Sequence, residues 1–294
     1  MSDLFNNSSN FEDIVFPPKI TLTCRGKLVL LDSPLIMGIL NVTPDSFFEK
    51  SRVIKNMDSL LSKANQMIEE GADILDVGGY SSRPGADEVS IQEELDRVVP
   101  AIESIRSHFP ETLISVDTFR SEVAKLAVKS GADIVNDISA GGLDSNMIST
   151  VGQLSVPYIA MHMKGNPKTM QSKTTYENIL LEIVSYFSEK IQECYKAGIK
   201  DVIIDAGFGF SKTLDQNYWI LKNLSYFKTI QAPMLVGISR KSMIYKKLHL
   251  TAEESLNGST ALNMYALIQG ANILRVHDVK ETKQTITLYK QLYP

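Results

Sequence analysis

Four stretches of helical period end in glycine and pass directly into an apolar run: Gly71-Ala72-Asp73-Ile74, Gly131-Ala132-Asp133-Ile134, Gly198-Ile199-Lys200-Asp201 and Gly270-Ala271-Asn272-Ile273. The glycines stand 60, 67 and 72 residues apart, too far for one strand and one helix of ordinary length and suited to two such pairs. The intervals contain a second set of apolar runs, Leu35-Ile36-Met37-Gly38-Ile39, Leu113-Ile114-Ser115-Val116, Tyr158-Ile159-Ala160-Met161 and Met234-Leu235-Val236-Gly237-Ile238. Short apolar runs without strict alternation, separated by helical period, predict a parallel sheet buried on both faces. Right-handed crossovers of similar length favour closing eight such units on themselves, so the expected α/β fold is a (β/α)8 TIM barrel rather than an open doubly wound sheet.

The first helix is predicted over residues 58–70, with Leu60, Leu61, Ala64, Met67 and Ile68 as its buried stripe and Gly71 as its C-cap. Ahead of the barrel, alternation between Ile20 and Leu31 around Arg25-Gly26-Lys27 predicts a β-hairpin that closes the barrel's bottom. Residues 1–18 read as a flexible N-terminal arm and 19–294 as one barrel domain, because 44% hydrophobic content supports one large core and the repeat shows no compositional break.

A net charge of −4 supplies no global field toward nucleic acid or an anionic membrane, which points to small-molecule partners. Cys24 and Cys194 lack metal-ligand spacing and read as packing residues of a protein from a reducing compartment. The polar start lacks the basic and apolar regions of a signal peptide, and no run of about 18 apolar residues occurs, so the expected location is cytoplasmic.

In a barrel of this kind the loops after the strands build the active site. Here every strand leads into polar residues: Asn41-Val42-Thr43-Pro44-Asp45; Asp76 and then Ser81-Ser82-Arg83-Pro84-Gly85; Asp117-Thr118; Asn136-Asp137; His162-Met163-Lys164; Asp205; Ser239-Arg240-Lys241-Ser242; and Arg275-Val276-His277-Asp278. Any one of these has an ordinary explanation as a helix cap or a solvated charge. Eight on one rim do not, since a purely structural barrel has no need to gather amides, carboxylates and cations at one end.

The set divides by chemistry. Asp117, Asn136 and Asp205 are hydrogen-bonding groups suited to the donor and acceptor edge of a flat nitrogen heterocycle such as an aminopyrimidinone. Asn41, Arg83, Arg275 and His277 suit phosphate oxygens, and the end of the last strand is where such barrels often bind phosphate. The implied ligand is a heterocycle beside a phosphate or pyrophosphate. The segments after the first two strands, 44–52 and 81–85, are long enough to close over a second substrate.

These residues carry a family resemblance. Met37-Gly38-Ile39-Leu40-Asn41-Val42-Thr43-Pro44-Asp45-Ser46-Phe47, Gly78-Gly79-Tyr80-Ser81-Ser82-Arg83-Pro84-Gly85, Ser115-Val116-Asp117-Thr118, Asn136-Asp137, Met161-His162-Met163, Gly207-Phe208-Gly209-Phe210, Ser239-Arg240-Lys241 and Arg275-Val276-His277-Asp278 occur in the order found in dihydropteroate synthases, which the chain resembles from about residue 35 to 281. The resemblance implies a folate-pathway transferase that joins 6-hydroxymethyl-7,8-dihydropterin pyrophosphate to 4-aminobenzoate, is a target of sulfonamides, requires Mg2+, and works as a homodimer through its last helices. It implies that Asp117, Asn136, Met161, Asp205, Lys241 and Arg275 hold the pterin. Asn41, Arg83, Arg275 and His277 would take the pyrophosphate, with Asn41 also ligating Mg2+. Phe47, Ser82, Pro84, Phe210, Lys241 and Ser242 would receive aminobenzoate. The reaction would be carried by Arg83, Asp117, Asp205, Lys241, Arg275 and His277, with Asp45 and Glu49 of the first loop close by.

The chain departs from the family pattern at Phe48-Glu49-Lys50-Ser51, where Ser-Asp-Gly-Gly is usual; the acid is kept but the two flexible glycines are lost. Two rival readings are a pterin-binding methyltransferase acting on methyltetrahydrofolate and a corrinoid protein, and a catalytically silent pterin-binding homologue. The methyltransferase would not need Ser82-Arg83-Pro84 or Arg275-Val276-His277, and turnover separates enzyme from silent binder.

Overall fold

The computed structural model describes residues 20–42, 53–80 and 89–293. The proposed arm, residues 1–18, lies outside the described residues.

Ten strands are present among the described residues, those from β3 onward separated by helices: β1 (Thr21–Cys24), β2 (Lys27–Leu30), β3 (Leu35–Asn41), β4 (Ile74–Gly78), β5 (Leu113–Asp117), β6 (Ile134–Asp137), β7 (Tyr158–Met161), β8 (Val202–Asp205), β9 (Met234–Val236) and β10 (Ile273–Val276). The α-helices are α1 (Val53–Glu70), α2 (Ile91–His108), α3 (Ser121–Lys129), α4 (Met147–Leu154), α5 (Ile179–Lys196), α6 (Leu214–Lys222), α7 (Ser242–Leu248), α8 (Leu256–Gln269) and α9 (Val279–Leu292). Strands β3 to β10 pair in parallel and close on themselves, β10 lying between β9 and β3, so the predicted (β/α)8 barrel is the observed fold.

Alternation along each strand separates two cores. Ile36, Leu40, Leu75, Val77, Ile114, Val116, Val135, Ala160 and Leu274 point outward and are buried against helix residues such as Leu60, Ala64, Val98, Ile102 and Phe187. Inward at the N-terminal ends lie Met37, Ile74, Ile134, Ile159, Ile203, Leu235 and Ile273, a wholly apolar layer. Burial of each such side chain is worth roughly 1.5–3 kcal/mol, which is why the strands lack the polar alternation of a half-exposed sheet.

The hairpin β1–β2 closes the bottom as the alternation predicts: Leu22 and Cys24 of β1, with Leu31 just after β2, join the apolar layer. Its turn places Arg25 and Gly26 both at positive φ, 49° and 73°. This matches the two-residue turn whose twist suits a hairpin. The unfavourable conformation of Arg25 is offset by a contact of its Nε, 2.8 Å from the buried Asp133, whose other oxygen takes Arg106 of α2 at 2.6 Å.

Helix α1 starts at Val53 rather than at residue 58. Asp58 has the chemistry of an N-cap, but Met57 packs on the core and the helix continues upstream. Strand β4 runs on to Gly78, and β9 stops at Val236, two residues before the predicted end. Both cysteines are buried and unpaired, in keeping with their reading as packing residues.

Candidate active site

Above the apolar layer the inward positions change character. Asp76 in β4, Ser115 and Asp117 in β5, Asn136 in β6, Met161 in β7, Asp205 in β8 and Arg275 in β10 fill the C-terminal half of the barrel. The register sets Asp76 beside Ser115, Asp117 beside Asn136 and Met161 beside Asp205, so period-2 alternation brings distant sequence positions to one mouth.

Arg275 is the hub. Its Nε donates to Asp76 Oδ2 and its Nη2 to Asp117 Oδ2, each at 2.6 Å. Asn136 Nδ2 donates to the same Asp76 carboxylate at 3.2 and 3.4 Å, which directs its amide oxygen away from Asp76. Across the mouth, Lys241 Nζ donates to Phe208 O at 2.6 Å and lies 5.0 Å from the centre of the Phe210 ring. Asp205 accepts from Gly207 N at 2.8 Å. A third apolar cluster of Ile138, Met161, Met163 and Met170, with Phe119, Leu143 and Phe210, supplies a wall on which a flat ring can rest.

Burial tunes the charges. Desolvation lifts Asp117 to about 7 even against the opposing charge of Arg275. It raises Asp205 as well, with Lys241 opposing, and lowers Lys241 to about 8 despite Asp205. Burial also works against the Arg275 cation, but Asp76 and Asp117 outweigh it and hold the guanidinium charged above its ordinary value. The mouth thus holds one acid, Asp117, and one base, Lys241, displaced toward neutrality, a second acid, Asp205, raised by burial, and the Arg275 cation.

Asn41 ends β3, and a Cβ built on Gly78 would lie 3.6 Å from Asn41 Oδ1 and 3.8 Å from Asp117 Oδ2, so both residues border the same gap. His277 follows β10, its Nδ1 3.1 Å from Ser239 Oγ and its backbone N donating to the same oxygen at 3.2 Å. Ser242 is the first residue of α7, directly after Lys241. The structure therefore brings Asp117, Asn136, Met161, Asp205, Lys241 and Arg275 together and sets Asn41, His277, Phe210 and Ser242 on the loops and strand ends of the same face. Asp45, Phe47, Glu49, Ser82, Arg83 and Pro84 lie outside the described residues.

Two residues without a sequence-based role prove central to this geometry. Asp76 anchors both Arg275 and Asn136; its signal was a single acid inside the apolar run Ile74-Leu75-Asp76-Val77. Lys212 is buried, and its ammonium meets His162 Nδ1 and three backbone carbonyls of the loops after β7 and β8. The loop after β8 also needs Gly207, at φ +70°, where a Cβ would sit 2.1 Å from His162 O. Among the described residues no three His, Cys, Asp or Glu side chains converge on a metal position.

The family described as pterin binding enzyme matches residues 37–277. The dihydropteroate synthase of Escherichia coli strain K12 is 45% identical over 267 residues, covering 90% of this chain and 94% of that protein. That of Haemophilus influenzae is 43% identical over 271 residues, covering 92% and 98%. The crystal structure of the Yersinia pestis dihydropteroate synthase in complex with a sulfonamide drug superposes with a TM-score of 0.87 at 40% identity, covering 93% of this chain and 99% of that one. The Xanthomonas albilineans dihydropteroate synthase with 4-aminobenzoic acid gives 0.86 at 36% identity, covering 94% and 98%.

Proposed function

The chain belongs to the dihydropteroate synthase family of pterin-binding enzymes, transferases of folate synthesis, and we propose that its barrel mouth joins 6-hydroxymethyl-7,8-dihydropterin pyrophosphate to 4-aminobenzoate. The observation that carries this site assignment is Arg275, held at the barrel mouth by Asp76 and Asp117 at 2.6 Å each.

In this reading Asp117 and Asp205 accept from the amino and ring N–H groups of the pterin, and Asn136 offers the amide oxygen that Asp76 turns outward. Met161 supports one face of the ring. Arg275, Arg83, His277 and Asn41 receive the pyrophosphate. The bond from the pterin CH2 to the pyrophosphate oxygen breaks, that from CH2 to the arylamine nitrogen forms, and the nitrogen sheds one proton to solvent. The electron-rich ring stabilises positive charge at the CH2, so the residues' main work is to bind the departing anion and exclude water. The arylamine is neutral at pH 7 and needs no strong base. Phe47, Ser82, Pro84, Phe210, Lys241 and Ser242 receive aminobenzoate, where a sulfonamide would compete, and the family resemblance assigns Asp45 and Glu49 to the same reaction.

One amide oxygen, with no carboxylate cluster among the described residues, would suit a Mg2+ ion brought in with the substrate pyrophosphate. Asn41 would be its ligand from this chain, and the bound ion would neutralise charge on the leaving group. A homodimer is assigned to the last helices, α8 and α9, where Ile268, Leu288 and Leu292 are exposed, and sedimentation at micromolar concentration tests it. A cytoplasmic location fits the unpaired cysteines, and no helix among the described residues is long and apolar enough to cross a membrane.

The deciding experiment is turnover of the two substrates with release of pyrophosphate, in the native chain and in Arg275→Ala. The variant is expected to lose pyrophosphate binding and turnover together. Native turnover in Arg275→Ala would overturn the site assignment, and inactivity of the unaltered chain would favour a silent homologue.

A further inference from the structure

Arg275 is gripped from two sides by carboxylates that differ in kind. Asp76 sits in the middle of β4, its side chain fully buried, and its carboxylate is also tied to Asn136. Asp117 ends β5 at the mouth with 20% of its side chain exposed, and among the described residues Arg275 is the one hydrogen-bond partner of its carboxylate. One acid is built into the barrel wall; the other is partly exposed at the mouth. Charge-assisted bonds at 2.6 Å occupy both Nε and Nη2, so the bidentate edge of the guanidinium is engaged before any ligand arrives. An unengaged Asp117 carboxylate beside that edge also repels an incoming polyanion.

We propose that Asp117 is an exchangeable partner of Arg275: when the heterocycle's N–H groups take Asp117, its carboxylate leaves Nη2, and that nitrogen, on a guanidinium still anchored at Nε by Asp76, is released to pyrophosphate. Ring and tail then bind cooperatively, each raising the affinity for the other by the same factor. Asp76 is a positioning residue, acting through Arg275 and Asn136 rather than on substrate. This rests on the reading above, in which Asp117 meets the ring and Arg275 the pyrophosphate. It adds that the two subsites are coupled through one shared bond, so a substrate carrying both ring and tail is favoured over free pyrophosphate or a phosphorylated metabolite without the ring.

The test is calorimetric titration of the full chain with pyrophosphate at fixed Mg2+ and pH 7.5, with and without 6-hydroxymethyl-7,8-dihydropterin, which has the ring but no tail. In the native protein the pterin is expected to tighten pyrophosphate binding by at least about fivefold, the lower end of ordinary coupling, and pyrophosphate to tighten pterin binding equally. Asp117→Ala is expected to bind pyrophosphate more tightly than the native protein does without pterin, an increase that general damage to the site would not produce. Asp117→Asn, which keeps the shape of the side chain, should show the same direction and serves if the alanine variant does not fold. Asp76→Asn should weaken pyrophosphate binding both with and without pterin. Both ligands binding the native protein with no mutual effect, or weaker pyrophosphate binding in the two Asp117 variants, would overturn the exchange alone. Failure of the native protein to bind either ligand would overturn the site assignment itself, and the exchange with it.

Discussion

Lys212 Nζ lies 3.0 Å from His162 Nδ1, and the same ammonium donates to the carbonyl oxygens of His162, Gly207 and Phe210 at 3.3, 3.1 and 3.0 Å. Burial, reinforced by the Lys212 charge, holds the imidazole down at about 2, so it is neutral and accepts at Nδ1. These contacts join the loop after β7 to the loop after β8, and the latter also carries Phe208, whose carbonyl orients Lys241.

Lys212→Met removes the donor and leaves buried acceptors without partners. Each such group costs about 1–3 kcal/mol, and relaxation of the loops recovers part of that, so a loss of about 3 kcal/mol in stability is expected, with a fall in turnover as Lys241 loses its fixed acceptor. Thermal unfolding and steady-state kinetics check this. An unchanged melting temperature would mean that the ammonium is not holding the two loops together.

The pH dependence follows from two groups displaced toward each other. Asp117 is raised to about 7, so its carboxylate is present above that pH and is lost on acidification; Lys241 is lowered to about 8, so its ammonium is present below that pH and is lost on alkalisation. The profile of kcat/KM for the pterin substrate, which reports the free enzyme, is expected to be a narrow bell between the two. Lys241→Arg should remove the alkaline limb, because a guanidinium does not titrate there. A flat profile from about pH 6 to 9 would rule out both assignments.

Asn136 tests the pterin edge. Its Nδ2 is committed to Asp76, so the oxygen is the atom offered to the ligand. Asn136→Asp exchanges that donor for a second carboxylate against Asp76 and adds like-charge repulsion beside Asp117. The KM for the pterin substrate should rise by roughly 10–100-fold, the cost of one or two lost charge-assisted bonds, with the KM for aminobenzoate changed far less. Equal rises in both KM values would instead indicate general collapse of the mouth.

The barrel was legible in the chain because its strands are buried on both faces, so each appears as a short apolar run, and the glycine-ended helices set the phase of the repeat. The hairpin was legible because one face of it is buried and the other is not: Leu22 and Cys24 are covered while Leu28 and Leu30 are exposed. The start of α1 was not, since Asp58 looks like a cap in isolation and only packing of Met57 on the core shows that the helix continues. The rim acids Asp117 and Asp205 were legible from their place at strand ends. Asp76 was not assigned, because its role is defined by a partner 199 residues away, and alternation along a strand says which way a side chain points without saying what it meets. Lys212 is hidden for the same reason, its histidine partner being 50 residues upstream.

The two ends of the barrel should respond differently to mutation. Leu22 is 1% exposed and fills the apolar layer with Met37, Ile74 and Ile273, at the opposite end of the strands from Arg275 and Asp117. Leu22→Ala leaves a cavity there, and removal of a buried leucine side chain costs about 2–5 kcal/mol depending on how far the surroundings relax. Because this layer lies at the opposite end of a rigid closed barrel from the mouth, kcat and both KM values measured well below the melting temperature should stay within about twofold of native while denaturant unfolding shifts to lower concentration at unchanged slope. A fall in kcat matching the loss of stability would show that the plug also shapes the active site, and the division between an apolar base and a working rim would fail.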